Sequence, residues 1–361
     1  MLHPVPNSNL RRLLLHVVAL QRQLMEELCN LAPNYVVDLA WLQNIWTKEP
    51  DGWVERFWNL PKTSRLAASP GQRSVWIKTI AVSAVAEKKT IRAMVVEQLR
   101  FRELYNDPPT VRLTAHAWDT PVMEAVNKLL KSFYDPLFYE GNGFYRRPNG
   151  LFHKRHFIDG FNPRVQICPY TDTIIQDPKL DHFLPKDRYP MLSCHPDNLI
   201  PCSTDSNSGS HKGTEPPLDP DEPEQARDWF HPRIRNAVGK YRLTFPAGAA
   251  PQPQILFIAI DPNDQTRLDN MEQMFGLCEF WGRNIGKEIQ LVASDVCGWL
   301  KDDEKPASVE NVRTYILRRS RQERNRVGYD PLAIVKSSFY EHIALTAGLL
   351  DQVVRACTQG T

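Results

Sequence analysis

One stretch governs the interpretation of this chain: residues Cys168 to Gly213 read CPYTDTIIQDPKLDHFLPKDRYPMLSCHPDNLIPCSTDSNSGSHKG. Its centre, LDHFLPK over residues 180–186, places apolar, strand-like residues before an adjacent carboxylate and imidazole, and proline then stops the strand. Residues 197–201 read DNLIP, and Asn207 follows in a segment rich in serine and glycine. An imidazole can take a proton from water near neutral pH, and hard oxygen donors suit a divalent cation. The stretch therefore predicts a site for acid–base chemistry beside a cation.

This order of residues resembles the HNH, or ββα-metal, endonuclease family. The resemblance implies Asp181 as a metal ligand and His182 as the general base that activates water. It assigns Asn198 to bracing the loop that carries the base, and Asn207 to a second ligand position on the helix of the motif. The implied cofactor is Mg²⁺, with Mn²⁺ as a possible substitute. Two protein oxygens would leave such an ion free to keep waters and to accept phosphate oxygens.

The chain departs from the family at the positions of a structural zinc. Many relatives hold that ion with two C-x-x-C pairs, whereas the four positions here are Cys168, Thr171, Ser203 and Ser206. Because one of the four thiol ligands remains, we do not expect a structural zinc.

A different zinc site is an open alternative to this expectation. Cys194, His195, Cys202 and His211 lie close together in the sequence, and thiols and imidazoles are zinc ligands. Buried thiols without a metal are the simpler interpretation.

Composition sets limits on the whole chain. With 361 residues, 42% hydrophobic and 24% charged, the chain is long enough for two or three domains of ordinary globular composition. A net charge of +2 means that any nucleic-acid surface must be local. Seven cysteines spread along the chain predict reduced thiols and a cytoplasmic protein, and no apolar run is long enough to span a membrane.

Basic residues suggest where phosphates would bind. Lys186 and Lys212 lie within the central stretch. Residues 141–157 carry no acid, and their basic side chains alternate with aromatic ones. The predicted contacts from this segment are Arg146, Arg147, Lys154 and Arg155. The arginines of residues 308–326 fit a DNA or RNA contact and a solvated helix equally well.

The expected fold is α+β, with a small HNH core between mostly helical regions. We divide the chain into a helical region for docking a partner or DNA (residues 1–140), a nuclease domain with extra strands (141–262) and a second helical region (263–361). Periodicity predicts helices over 9–32, 73–105 (long or broken), 122–133, 263–280, 308–326 and 334–353, and another starting at Asn207. Short strands are predicted over 164–167, 173–175, 241–245 and 255–260. Tryptophans 41, 46, 53 and 58 are expected in a core or interface rather than stacked on bases.

The resemblance implies a metal-dependent endonuclease that hydrolyses DNA. A weaker likeness to the HNH subunits of bacterial anti-phage systems such as Septu implies antiviral defence with an ATPase partner, and homo-oligomers are compatible with it. Two other functions remain open. One is a non-catalytic nucleic-acid-binding or assembly subunit with a degenerate HNH fold, and the other is an RNA-cleaving toxin.

Overall fold

The N-terminal third of the chain is helical. The structure is a computed structural model that describes residues 2–59, 72–138, 143–146, 150–161, 165–204, 206, 212–246, 253–286 and 288–359. The N-terminal helices are α1 (Arg11–Asn30), α2 (Leu39–Ile45), α3 (Asp51–Trp58), α4 (Gln72–Ala81), α5 (Val85–Leu99) and α6 (Pro121–Lys131). Of the two alternatives predicted over 73–105, a long or a broken helix, the structure has the broken one, as α4 and α5. The α6 helix starts as its sequence predicts, because Thr120 caps the Met123 N–H and Pro121 occupies the first turn.

The tryptophan-rich segment forms part of the core. Trp46 and Trp53 are buried, and the Trp46 ring packs edge-on against Phe57 at a centroid distance of 4.9 Å. Trp58 is buried and Trp41 packs partly buried against the same core. These contacts place the four indoles in packing rather than on a free surface, which agrees with the expectation from sequence.

In the middle of the chain, the described residues form three two-stranded antiparallel sheets. The strands are β1 (Phe144–Arg146) with β2 (Gly150–Phe152), β3 (Lys179–His182) with β4 (Leu199–Cys202), and β5 (Tyr241–Thr244) with β6 (Leu256–Ala259), and α7 (Lys154–Asp159) follows β2. The mixture of helices and small sheets agrees with an α+β fold. The strands predicted over 241–245 and 255–260 are β5 and β6.

The strand predictions over 164–167 and 173–175 were wrong for the residues described. They reduce to a single bridge between Ile167 and Ile174. The two segments pair only next to the turn that contains Asp172, where the Cys168 N–H bonds Thr173 O at 2.7 Å and the Ile175 N–H bonds Gln166 O at 2.8 Å. The hairpin that carries the central motif is instead β3–β4.

The helix predicted to start at Asn207 is not seen where the chain can be followed. Residues 207–211 lie outside the described residues, and residues 212–214 form a turn. Between residues 215 and 224 the described chain has no helix, as expected for a segment with four prolines.

Six further helices make up the C-terminal third as described. They are α8 (Gln265–Phe275), α9 (Leu277–Ile285), α10 (Glu288–Asp302), α11 (Val309–Asn325), α12 (Ala333–Leu345) and α13 (Ala347–Gln359). The helix predicted over 263–280 is broken at Gly276, whose φ of 58° favours glycine, and the one predicted over 334–353 is broken at Thr346. Periodicity missed α10. None of the described helices combines the length and apolarity that crossing a bilayer requires.

One pair of cysteines contradicts the expectation that all thiols are reduced. Cys297 of α10 and Cys357 of α13 form a disulfide. The expectation failed because the two helices pack side by side although the cysteines are 60 residues apart in sequence. Cys29, Cys168, Cys194, Cys202 and Cys278 are free.

Contacts cross the predicted domain borders around one turn, Cys168–Thr173. Asp172 accepts a hydrogen bond from the His3 ring at 2.6 Å and another from the Ile334 N–H at the start of α12. On the same turn, Tyr170 stacks on Phe275 of α8 with ring centroids 4.9 Å apart. The N-terminal segment, the central stretch and the C-terminal helices therefore share one buried core.

Candidate active site at the end of strand β3

The β3–β4 hairpin positions the adjacent acid and imidazole. In its register Asp181 lies opposite Ile200 and His182 opposite Leu199. Every residue of β4 is buried, whereas β3 is buried only at Leu180 and Asp181. His182 ends its strand half-buried, with Pro185 close behind it. Both faces of β3 are thus covered at Leu180 and Asp181, and His182, at the end of the strand, is partly open to solvent.

Asn198 joins the two sides of the loop between β3 and β4. Its Oδ1 accepts from the Leu184 N–H at 2.7 Å, and its Nδ2 donates to Leu184 O at 2.9 Å and to Leu192 O at 3.1 Å. The side chain is fully buried, so each of these bonds is protected from competing water. Asn198 thus holds the main chain that follows His182. This is the bracing role that the sequence resemblance implies for Asn198.

The ring of His182 is oriented by a main-chain oxygen. Its Nε2 lies 2.9 Å from Ser193 O, and a carbonyl oxygen can only accept, so Nε2 carries the proton and Nδ1 has the free lone pair. Tyr134 packs edge-on to the imidazole with ring centroids 4.4 Å apart. Burial, and next the charge of Lys186, lower the pKa of His182 to about 3. The ring is therefore neutral at pH 7.

Asp181 is held by two donors within the protein. Tyr170 Oη donates to Oδ2 at 2.7 Å, and Lys212 Nζ donates to Oδ1 at 3.0 Å. The same ammonium donates to His182 O at 2.8 Å. The side chains of Lys212 and Asp181 are only 1% and 4% exposed. Lys212 is consequently a buried ion-pair partner of Asp181, and its contact with phosphate stays a prediction.

The described donors do not fit a resident Mg²⁺. Both oxygens of Asp181 already accept hydrogen bonds, and a buried ammonium lies against one of them. The second predicted ligand, Asn207, lies outside the described residues. Among those that are described, no group of three or more histidine, cysteine, aspartate or glutamate side chains is arranged to hold a metal ion.

Lys186 lies closer to solvent on the same side as His182. It forms an ion pair with Asp135, and its Nζ is 5.0 Å from the centroid of the Tyr134 ring. Both members of the ion pair are about one-quarter exposed, 24% for Lys186 and 23% for Asp135. A phosphate that approached His182 would meet this ammonium.

A buried carboxylate that the sequence reasoning missed lies beside Asn198. Asp197 accepts hydrogen bonds from Arg11 of α1 and from Arg102, which follows α5. Although burial alone would raise the pKa of Asp197, its bonds to Arg11 and the charges of His195 and Arg102 hold that pKa at about 2. The sequence offered only one hint, an acid directly before the bracing asparagine.

Three of the four positions of the absent zinc ligands come together. The Cys168 thiol lies 3.2 Å from the Ser206 hydroxyl, and that hydroxyl lies 3.0 Å from Ser203 Oγ. Thr171 bonds instead to the Thr173 hydroxyl at 2.8 Å. A buried cluster of hydrogen-bonded hydroxyl and thiol groups thus lies where the resemblance would place a metal.

The residues of the alternative zinc site, as far as they are described, have other surroundings than a metal ion. His211 lies outside the described residues, and Cys194 and Cys202 are buried thiols whose pKa values are raised by burial. The His195 ring accepts from the Asp197 N–H at 3.2 Å and packs edge-on to Phe101.

The predicted basic segment is only partly described. Arg147 and the side chain of Arg146 lie outside the described part of the chain. Lys154 and Arg155 occupy the first turn of α7, where Arg155 is exposed and Lys154 half-buried. On α11 three arginines form ion pairs with acids, and so does the arginine that follows its last residue: Arg313, Arg319, Arg324 and Arg326. That pairing favours the solvated-helix interpretation of α11.

Comparison with protein-family models, with curated proteins and with solved structures gave no match.

Proposed function

We propose that this chain is a phosphodiester hydrolase in which His182 activates the attacking water. The observation that carries the proposal is the hydrogen bond from Nε2 to Ser193 O, since it fixes the tautomer and leaves Nδ1 as a base. His182 is half-buried, and the proposal takes its exposed part as the side from which substrate approaches, while the buried Asn198 holds the loop beside it. A base fixed by the main chain and braced from behind is the arrangement that proton abstraction requires.

The proposed reaction is a single displacement at phosphorus. The oxygen of water forms the new bond to phosphorus while its proton passes to Nδ1 of His182. The bond from phosphorus to the 3′ oxygen breaks, and that oxygen takes a proton from solvent, which leaves a 3′-hydroxyl and a 5′-phosphate. Lys186 would balance the phosphate charge by exchanging its contact with Asp135 for one with a phosphate oxygen.

Further parts of the proposal rest on the resemblance of the sequence. We propose DNA as the substrate, with Lys154 and Arg155 of α7 contacting its backbone. We also propose that the protein acts in the cytoplasm as an effector of anti-phage defence beside an ATPase. The helices outside the central segment would provide the surface for that partner.

A second candidate function is a non-catalytic nucleic-acid-binding or assembly subunit. The observation that favours it is the state of Asp181, whose two oxygens are both committed to Lys212 and Tyr170. In that case the central stretch would serve packing, and His182→Ala would change neither binding nor assembly.

Nicking of supercoiled plasmid tests the first proposal. The wild type is compared with His182→Ala, in Mg²⁺, in Mn²⁺ and in EDTA, with single-stranded RNA as a parallel substrate. We expect a loss of at least 100-fold in His182→Ala, the usual contribution of a general base. His16→Ala is the matched control, because His16 is an exposed histidine on α1 paired with Glu49.

The outcomes separate the candidates. Cleavage that is equal in wild type and His182→Ala would refute His182 as the base. Binding of DNA without cleavage under any of the three conditions would favour the assembly role. Cleavage of RNA alone would identify the toxin-like alternative.

A further inference from the structure

The carboxylates around His182 share a feature that the resemblance does not predict. Each of them is already paired with a lysine: Asp181 with Lys212, Asp135 with Lys186, and Asp187 with Lys131. Two of these lysines also lie against the surroundings of His182. Lys212 Nζ donates to its main-chain oxygen at 2.8 Å, and Lys186 Nζ lies 5.0 Å from the centroid of the Tyr134 ring that packs on the imidazole. The positive charge near His182 is therefore supplied by ammonium groups of the chain.

The innermost pair is the most constrained. Lys212 Nζ donates to Asp181 Oδ1 at 3.0 Å and to His182 O at 2.8 Å, and Tyr170 Oη occupies Oδ2. Burial raises the pKa of Tyr170 well above its usual range, so this phenol stays protonated and acts as a donor. Because the ammonium bonds the main chain of His182 as well as Asp181, it joins the acid to the end of the strand that carries the base.

We propose that the Lys212 ammonium is the resident cation at Asp181, and that the chain therefore binds no divalent ion there. This inference rests on the proposed function, since it concerns the same site. An ion within coordinating distance of Oδ1 would lie about 2.1 Å from an oxygen that a buried ammonium already contacts. The like charges would repel each other strongly, because little water reaches either group to screen them.

The charge balance leads to the same conclusion. Lys212 and Asp181 together are neutral, and both are nearly inaccessible to solvent. Adding a dication would leave buried positive charge without a described carboxylate to compensate it, since Asp135 and Asp187 have lysines of their own. Lys212 is thus a positioning residue, which acts through Asp181 and through the main chain of His182.

The test uses Mn²⁺ as a probe and does not depend on cleavage. We would titrate the full chain with Mn²⁺ and measure the broadening of the His182 ring proton signals by NMR, assigned from the spectrum of His182→Gln. We expect wild type to show no site-specific broadening up to about 1 mM, the range of very weak association. Asp181-dependent broadening of the wild-type signals at lower concentration would overturn the inference.

Substitution of the lysine gives the complementary result. Lys212→Gln removes the ammonium but keeps a hydrogen-bond donor, so we expect at least a tenfold gain in Mn²⁺ affinity, lost again in Lys212→Gln/Asp181→Asn. A folded Lys212→Gln variant that gains no Mn²⁺ would also count against the inference. If the variant does not fold, the wild-type titration alone decides.

These outcomes are distinguishable from failure of the proposed function. If no substrate is cleaved, the hydrolase proposal falls and the Mn²⁺ result stands by itself. If Mn²⁺ binds at Asp181 in wild type, the inference is refuted, whereas the hydrolase proposal stands in a metal-dependent form.

Discussion

The environment of His182 determines how the site should respond to pH. Burial and neighbouring ammonium groups hold its pKa at about 3, while Nε2 keeps its proton through Ser193 O. A base is active in its deprotonated form, so its activity should be present above the folded-state pKa and lost only below it.

We therefore predict that kcat/KM for cleavage stays level between pH 7 and pH 5. A histidine with an ordinary pKa near 6.5 would lose roughly 20-fold over the same range. The measurement is a pH–rate profile on a short duplex, with circular dichroism at each pH to confirm that the chain stays folded. An acidic limb with an apparent pKa near 6.5 would contradict the prediction.

Stability has a related dependence on pH. Because the folded-state pKa of His182 lies below its unfolded value, the unfolded chain binds more protons between those two values. The free energy of unfolding is therefore unaffected by His182 above pH 6.5, where the ring is neutral in both states. It decreases as the pH falls from 6.5 toward 3, because the unfolded chain is then protonated and the folded chain is not. Burial also lowers the pKa of His195, to about 4, so its effect has the same sign.

At the residue scale, the sequence identified the candidate side chains but not how deeply they are buried. Asp181, His182 and Asn198 could be chosen because they are adjacent to short apolar strands in a fixed order. That Lys212 is buried could not be predicted, since a lysine in a Gly- and Ser-rich segment is normally exposed. It is held inside by Asp181 and His182 O, partners that only the folded chain brings together.

At the scale of elements, the turn after Ile167 and the end of β4 meet in the hydroxyl–thiol cluster. Cys168 Sγ lies 3.2 Å from Ser206 Oγ, and Ser203 Oγ lies 3.0 Å from the same oxygen. Four sulfurs around Zn²⁺ lie roughly 3.8 Å apart, as follows from a Zn–S distance of about 2.3 Å in a tetrahedron. For these three positions only a small expansion separates the present cluster from such a site, and the fourth, Thr171, would have to turn toward them.

We predict that the variant Thr171→Cys/Ser203→Cys/Ser206→Cys takes up one Zn²⁺ per chain. The three new thiols would join Cys168 around the ion, after the side chain at position 171 turns away from Thr173. Zinc content would be measured by release to a chromogenic chelator, with the wild type as the control. A folded variant that purifies without zinc would show that the elements hold these positions too far apart.

The elements themselves were predictable where a local signal was strong. Ser308 accepts from the Asn311 N–H at the start of α11, and Thr120 does the same for α6, so both starts could be read from the sequence. The breaks at Gly276 and Thr346 were missed because the apolar period continues across each of them. The β3–β4 pairing was missed because it joins strands separated by a loop with no hairpin signal.

At the scale of the whole molecule, Asp197 joins parts of the chain that the sequence assigned to different domains. Its carboxylate bonds Arg11 of the first helix and Arg102 after α5, and its main chain leads directly into Asn198. The candidate site is therefore held in place by the N-terminal region. Composition and periodicity carry no information on such contacts, because they depend on the packing of distant segments.

We predict that Asp197→Asn lowers the free energy of unfolding by about 2 kcal/mol, less than for a fully buried ion pair. The carboxylate is buried, but Arg11 and Arg102 are 22% and 51% exposed, so water partly screens the arginines that lose their partner. The measurement is urea denaturation followed by circular dichroism. Asp177→Asn is the matched control, because Asp177 pairs with Lys179 but is 73% exposed, and we expect no measurable change from it. Equal effects of the two substitutions would contradict the role given to Asp197.

The indole of Trp281 gives the molecule an optical property of its own. It is fully buried on α9, and its Nε1 donates to Thr171 O at 3.2 Å, one residue from the tyrosine that binds Asp181. Indole emission shifts to longer wavelength when water reaches the ring. In a variant with Trp281 as the sole tryptophan, the fluorescence emission maximum would therefore shift to longer wavelength when the turn Cys168–Thr173 opens to water.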